Sequence, residues 1–101
     1  MPLSSKQRAS LRAEAHRLNA TVHVGHHGVT DAVRQSLDDD LRTHELVKIQ
    51  FTKTADVTVK EAANELARAI SAEVVQVIGR TATLFRENPE LKGKDVPPWR
   101  R

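Results

Sequence analysis

Apolar side chains recur along the chain in two periods, and the switches between them mark its elements. Leu11, Ala15 and Leu18 recur at helical spacing. Ser4 followed by Gln7 has the spacing of a capping box, in which side chain and main chain at a helix start satisfy each other. A helix is therefore predicted from Ser5 to about Leu18–Asn19, with Lys6, Arg8, Arg12 and Arg17 on its other face. Thr21-Val22-His23-Val24 predicts a short strand stopped by Gly25. Thr30 then reads as an N-cap with Asp31 in the first turn, and Val29, Val33, Leu37 and Leu41 follow at four-residue spacing. That predicts an amphipathic helix over residues 31–42.

From Leu46 to Phe51 the period changes to two, with Val47, Ile49 and Phe51 on one face and Lys48 and Gln50 on the other. This is the mark of a half-buried strand. Thr58 and Glu61 repeat the capping-box spacing, and Ala62, Ala63, Leu66, Ala67 and Ile70 line a helix reaching about Ala72. Residues 74–78 form another strand candidate. Gly79-Arg80 is a two-residue turn with Gly where a type II′ hairpin needs it, and residues 81–86 return. Past Asn88-Pro89 there is Pro, Gly and charge without periodicity, so residues 89–101 are expected to be an extended or disordered basic tail on a domain of residues 1–88.

The order is α-β-α-β-α-β-β. Right-handed β-α-β crossovers make the joined strands parallel, and the final hairpin makes the sheet mixed. The expected fold is a two-layer α/β sandwich, a four-stranded mixed sheet with helices on one face and the other face open to solvent.

Composition narrows the function classes. The chain has 101 residues, enough for one domain with its own core. It has no cysteine, which removes disulfides, zinc-thiolate sites and cysteine nucleophiles and suits a reducing cytosol, so a cytoplasmic location is expected. No apolar run approaches the ~20 residues that span a bilayer, and Met1 to Arg12 lacks the apolar run of a signal peptide. The net charge is only +3, but its distribution is uneven. Residues 1–34 carry five basic and two acidic side chains, 35–75 five and eight, and 76–101 six and three. If the two basic ends meet in space they form a positive face, the usual footprint for nucleic acid.

The chemistry concentrates in Val24-Gly25-His26-His27-Gly28-Val29-Thr30, a strand running through Gly-x-x-Gly into a helix. Two positions without side chains let a ligand approach the main chain, and a helix start offers unpaired N–H groups to an anion. A loop of this kind can clamp a sugar-phosphate backbone. The same glycines could serve only a tight turn, and Asp31 would repel an anion. His23, His26 and His27 lack a carboxylate partner for a metal site, and Asp38-Asp39-Asp40 points in different directions around a helix. There is no nucleophile elbow, Walker loop or dinucleotide fingerprint, and no evident acid–base pair, so no enzyme and no cofactor is expected. Phe51 and Phe85 are expected in the core and Trp99 in the tail. That leaves too few aromatics for a base-stacking platform and favours backbone recognition.

Four blocks in order carry a family resemblance. They are Leu3-Ser4-Ser5-Lys6-Gln7-Arg8, Val24 to Thr30, His44-Glu45-Leu46-Val47-Lys48-Ile49, and Val77-Ile78-Gly79-Arg80-Thr81 with Leu84-Phe85-Arg86. Together they resemble the YhbY-like, or CRM-domain, family over about residues 3–87. The resemblance implies a fold similar to the C-terminal domain of translation initiation factor three. It also implies RNA binding with Gly25, His26, His27 and Gly28 as a loop similar to that of KH domains. Bacterial members of this family resemble ribosome-associated proteins linked to large-subunit precursors, which makes ribosomal RNA the expected partner. Arg8, Arg12, Arg17, Arg80 and Arg86 are expected to add phosphate contacts. The alternative is a protein-interaction module that docks on a ribosomal or other protein and touches RNA incidentally.

Overall fold

The computed structural model describes residues 4–53 and 58–88. The expected tail, with Trp99, lies outside the described residues. The described elements run α1 (Ser5–Ala15), β1 (Val22–Val24), α2 (Asp31–His44), β2 (Leu46–Phe51), α3 (Val59–Ala69), β3 (Glu73–Ile78) and β4 (Thr81–Phe85). The sheet order is β1-β2-β4-β3, with β1 parallel to β2 and β4 antiparallel to both of its neighbours. Thus β1, β2 and β3 all point one way, as two β-α-β crossovers require, and the hairpin inserts β4 between β2 and β3.

The capping signals are realised unequally. Ser4 Oγ accepts from the Gln7 N–H at 3.1 Å while the Ser4 N–H donates to Gln7 Oε1 at 2.9 Å, completing the box at α1. Thr30 Oγ1 accepts from the Val33 N–H and starts α2. At α3 the predicted box does not form, because the Thr58 side chain makes no cap bond. Thr58 is exposed, and water can serve the free amides there. Two helices also end earlier than their apolar stripes suggest. After Ala15, i→i+3 bonds from Arg17 and Leu18 tighten the chain into a turn. After Ala69, Ser71 takes a left-handed φ of 57° and the Ala72 N–H reaches back to the Ala67 carbonyl at 2.8 Å. That is a Schellman stop with serine in the place glycine usually takes. The hairpin matches expectation, with Gly79 at φ 56° between the paired residues Ile78 and Thr81.

The larger core lies between the sheet and α2 with α3. Val22, Val24, Val47, Ile49, Phe51, Ala82 and Leu84 meet Leu37, Leu41, Ala62, Ala63, Leu66 and Ala67. Alternation along a strand sends intervening side chains to the opposite face. There a second cluster joins Leu11 to Leu46, Val75 and Phe85, with Leu18 against it. The expectation of helices on one face therefore holds for α2 and α3 and is corrected for α1, which covers part of the other. Leu46 and Phe85 point away from the main core, and the narrow stripe of α1 is what keeps them from water. Burying a leucine such as Leu11 is worth about 1.5–3 kcal/mol. The uncovered part of that face, toward the carboxyl ends of the parallel strands, carries His23, Gln50 and Ile78. Among the described residues, Ile78 is the exposed large apolar side chain, at 54%. None of the described helices is long and apolar enough to cross a membrane.

Candidate nucleic-acid interface

Because β1, β2 and β3 are parallel, the chain segments that follow them emerge at one end of the sheet. These are Gly25 to Thr30, the segment beginning at Thr52, and the Gly79-Arg80 turn. Main-chain and side-chain bonds join them. The Thr52 N–H donates to the Val24 carbonyl at 2.9 Å, and the Phe51 N–H to the Arg80 carbonyl at 2.7 Å. Arg80 Nε donates back to the Phe51 carbonyl at 3.2 Å, and its Nη2 to the Thr52 carbonyl. Arg80 thus clasps the end of β2 beside the glycine loop. Ligand sites in open α/β sheets commonly form at these carboxyl ends.

The loop itself is one tight turn. The Gly28 N–H donates to the Gly25 carbonyl at 2.9 Å, and Gly28 sits at φ 68°, a left-handed conformation that strains any residue with a Cβ. His26 and His27 occupy the turn's tip, exposed, with ring centroids 5.2 Å apart in an edge-on arrangement. Gly25 differs from Gly28. Its φ is not left-handed, and a Cβ built there would meet Thr52 Oγ1 at 3.9 Å, an ordinary contact. The fold itself has room for alanine at that position. At the start of α2, Asp31 pairs with Arg34 one turn on, which offsets the acidic charge beside the loop.

The five arginines expected to share a basic face are dispersed. Arg80 and Arg86 flank opposite ends of β4, about 20 Å apart at ~3.4 Å per residue. Arg86 turns into the helix layer, where it donates to Asp38 Oδ1 at 2.6 Å, the Ile70 carbonyl at 3.0 Å and the Asp38 carbonyl at 3.1 Å. The hydrogen bond from Arg86 holds the Asp38 carboxyl below its ordinary pKa, against an opposing push from burial. Arg8 pairs with Glu73 at 3.1 Å and donates to the Val74 carbonyl, tying α1 to β3. Arg12 is exposed on α1, and Arg17 is exposed just beyond it, 3.9 Å from Glu14. Charge counting along the chain cannot distinguish an arginine that braces the fold from one that faces solvent. Lys53, exposed beside Thr52 at the loop end, has nothing in its local sequence pattern that would place it there. His23 lies on the sheet and His26 and His27 on the loop, and among the described residues no three metal-ligating side chains converge.

Three comparisons bear on this arrangement. A family model for the CRS1 / YhbY (CRM) domain matches residues 3–86. The chain is 34% identical over 90 residues to a Haemophilus influenzae protein named "RNA-binding protein", covering 89% of this chain and 91% of that one. It is 30% identical over 95 residues to the Bacillus subtilis "Probable RNA-binding protein YqeI", covering 94% and 99%. The solution structure of a hypothetical protein from Staphylococcus aureus superposes with a TM-score of 0.76 at 33% identity, over 90% of this chain and 95% of that one. With the match spanning every described element of the fold, the chain belongs to the CRS1/YhbY (CRM) domain family.

Proposed function

We propose that this domain binds RNA by its backbone at the Gly25-His26-His27-Gly28 loop, and that it serves the maturation of the large ribosomal subunit in the cytoplasm. The observation that carries this reading is Gly25. Gly28 is explained by its own left-handed turn, but the fold has no steric need for glycine at position 25. A missing side chain that folding does not require leaves a surface where a sugar-phosphate chain can reach main-chain amides. Around it stand the imidazoles of His26 and His27, the exposed Lys53 and the guanidinium of Arg80. Relatives with RNA binding in their names match over the same length of chain, which supports the reading. Arg12 and Arg17 remain candidates for outer phosphate contacts, whereas Arg8 and Arg86 are committed to the fold.

Gly25→Ala tests the proposal. Adding a Cβ where the native backbone accepts one leaves the fold intact and even stabilises it, by about 0.4–1 kcal/mol through the unfolded chain. RNA affinity in a filter-binding or fluorescence-anisotropy assay should nevertheless fall. If Gly25→Ala keeps full affinity, the loop does not hold the backbone, and a protein-docking role on another surface gains the advantage. Crosslinking in cells, followed by sequencing of the attached RNA, tests the cellular target. Enrichment of large-subunit precursor is expected, and random recovery would remove the ribosomal assignment.

A further inference from the structure

A cleft of about 420 Å³ lies at the other end of β1 and β2, beneath the connection from α1 to β1. Its lining includes Arg17, Asn19, Thr21, His44 and Lys48, with Leu46 among its apolar walls. Every polar side chain among these can donate a hydrogen bond, and among the described residues no carboxylate lines the space. The two nearest in sequence are accounted for. Glu45 is fully buried and its carboxylate accepts from the Asn88 N–H at 2.5 Å. Glu14 stands 3.9 Å from Arg17, at the limit of an ion pair. Lys48 Nζ is aimed by one bond to the Ala15 carbonyl at 3.3 Å, and an ammonium has further protons to give. Arg17 keeps 81% of its side chain exposed.

We infer that this cleft is a second binding site, taking a phosphate and its attached sugar from the same RNA strand that the glycine loop holds. The site is cationic on its polar side and apolar at Leu46, which suits a phosphate beside a ribose and base. Its volume lies within the range of small-ligand sites. Five residue steps separate Leu46 from Phe51, so the two ends stand about 17 Å apart at ~3.3 Å per residue. Between them, on the face that carries Lys48, lie the register partners His23 and Gln50. The strand would run along edge strand β1, held at both ends. The span rests on the loop proposal; the cleft's affinity for a phosphate does not.

Separate variants distinguish the two. Arg17→Ala with His44→Ala alters two exposed side chains outside the core. Binding is measured with an oligoribonucleotide of about four nucleotides, the length a Gly-x-x-Gly loop clamps, and with one three times longer. The double variant should bind the longer RNA about tenfold more weakly. The slope of log affinity against log salt should fall by ~0.7 for each phosphate that the variant leaves unneutralised. Its loss on the short RNA, which is too short to reach from the loop to the cleft, should be far smaller. Amide NMR signals of Asn19 and Thr21 should shift with the longer RNA only. Wild-type affinity and slope for the longer RNA would overturn the inference, and so would equal losses on both lengths. If Gly25→Ala has no effect while the double variant still weakens long-RNA binding, the loop proposal fails and the cleft stands.

Discussion

Arg86 offers the most direct check on how the charged residues divide between fold and ligand. Its guanidinium is only 22% exposed and makes three hydrogen bonds, one to the Asp38 carboxylate and two to main-chain carbonyls. In Arg86→Met the apolar stem survives and all three bonds vanish. A hydrogen bond to a charged group contributes about 1.5–3 kcal/mol net. Three such bonds on one side chain are not additive, and water can reach part of the site, so the expected loss is about 3 kcal/mol. For a domain of this size that lowers Tm by about 12–24 °C, at 4–8 °C per kcal/mol. The effect should depend on pH. Asp38 has its folded pKa depressed below the ordinary value of about 3.9. Its contribution is therefore present above about pH 4 and lost as pH falls through the lowered folded value. Urea unfolding followed by far-UV circular dichroism should give the largest difference from wild type at pH 7 and a smaller one near pH 2.5. RNA affinity and its salt slope, measured on the folded variant, should stay at wild type. A loss under about 1 kcal/mol, or one unchanged at low pH, would refute the assignment of Arg86 to the α2–β4 junction.

Other substitutions read single features. Ser71→Gly relieves a left-handed residue at the end of α3 and should stabilise the domain by about 1 kcal/mol in the same unfolding assay. Thr30→Ala removes the bond to the Val33 N–H at the start of α2 and should cost about 1 kcal/mol, with amide exchange rising in the first turn of α2. The imidazoles of His26 and His27 stand exposed at the tip of the glycine loop. His26→Gln with His27→Gln should therefore weaken RNA binding in the anisotropy assay. Wild-type affinity in the double variant would remove the loop histidines from the mechanism.

The elements were legible because their signals are local. Period-two alternation from Val47 to Phe51, the four-residue stripe from Val33 to Leu41, and the Ser4/Gln7 and Thr30 caps each specify a conformation within one turn or strand. The Gly-x-x-Gly loop, too, stood out as a break between a strand and a helix. Helix ends were less legible. The stripe running to Leu18 does not reveal that the last turn tightens after Ala15, and nothing marks Ser71 as a left-handed stop.

Residue types and their spacing determined on their own the element order, the mixed sheet, the apolar face of β2 and the glycine loop before α2. These follow from backbone preferences and from the period at which side chains recur, and they need no knowledge of distant neighbours. Only the tertiary structure decided that α1 crosses to the other side of the sheet to cover Leu46 and Phe85. It alone separated Arg86, locked against Asp38, from Arg80 beside the loop, and showed that Gly28 answers to its own backbone while Gly25 does not. The cleft between Arg17, His44 and Lys48 is of the same kind. Charge and glycine are properties of a residue, but what a charge neutralises and what a missing side chain leaves room for depend on groups brought together from far apart in the chain.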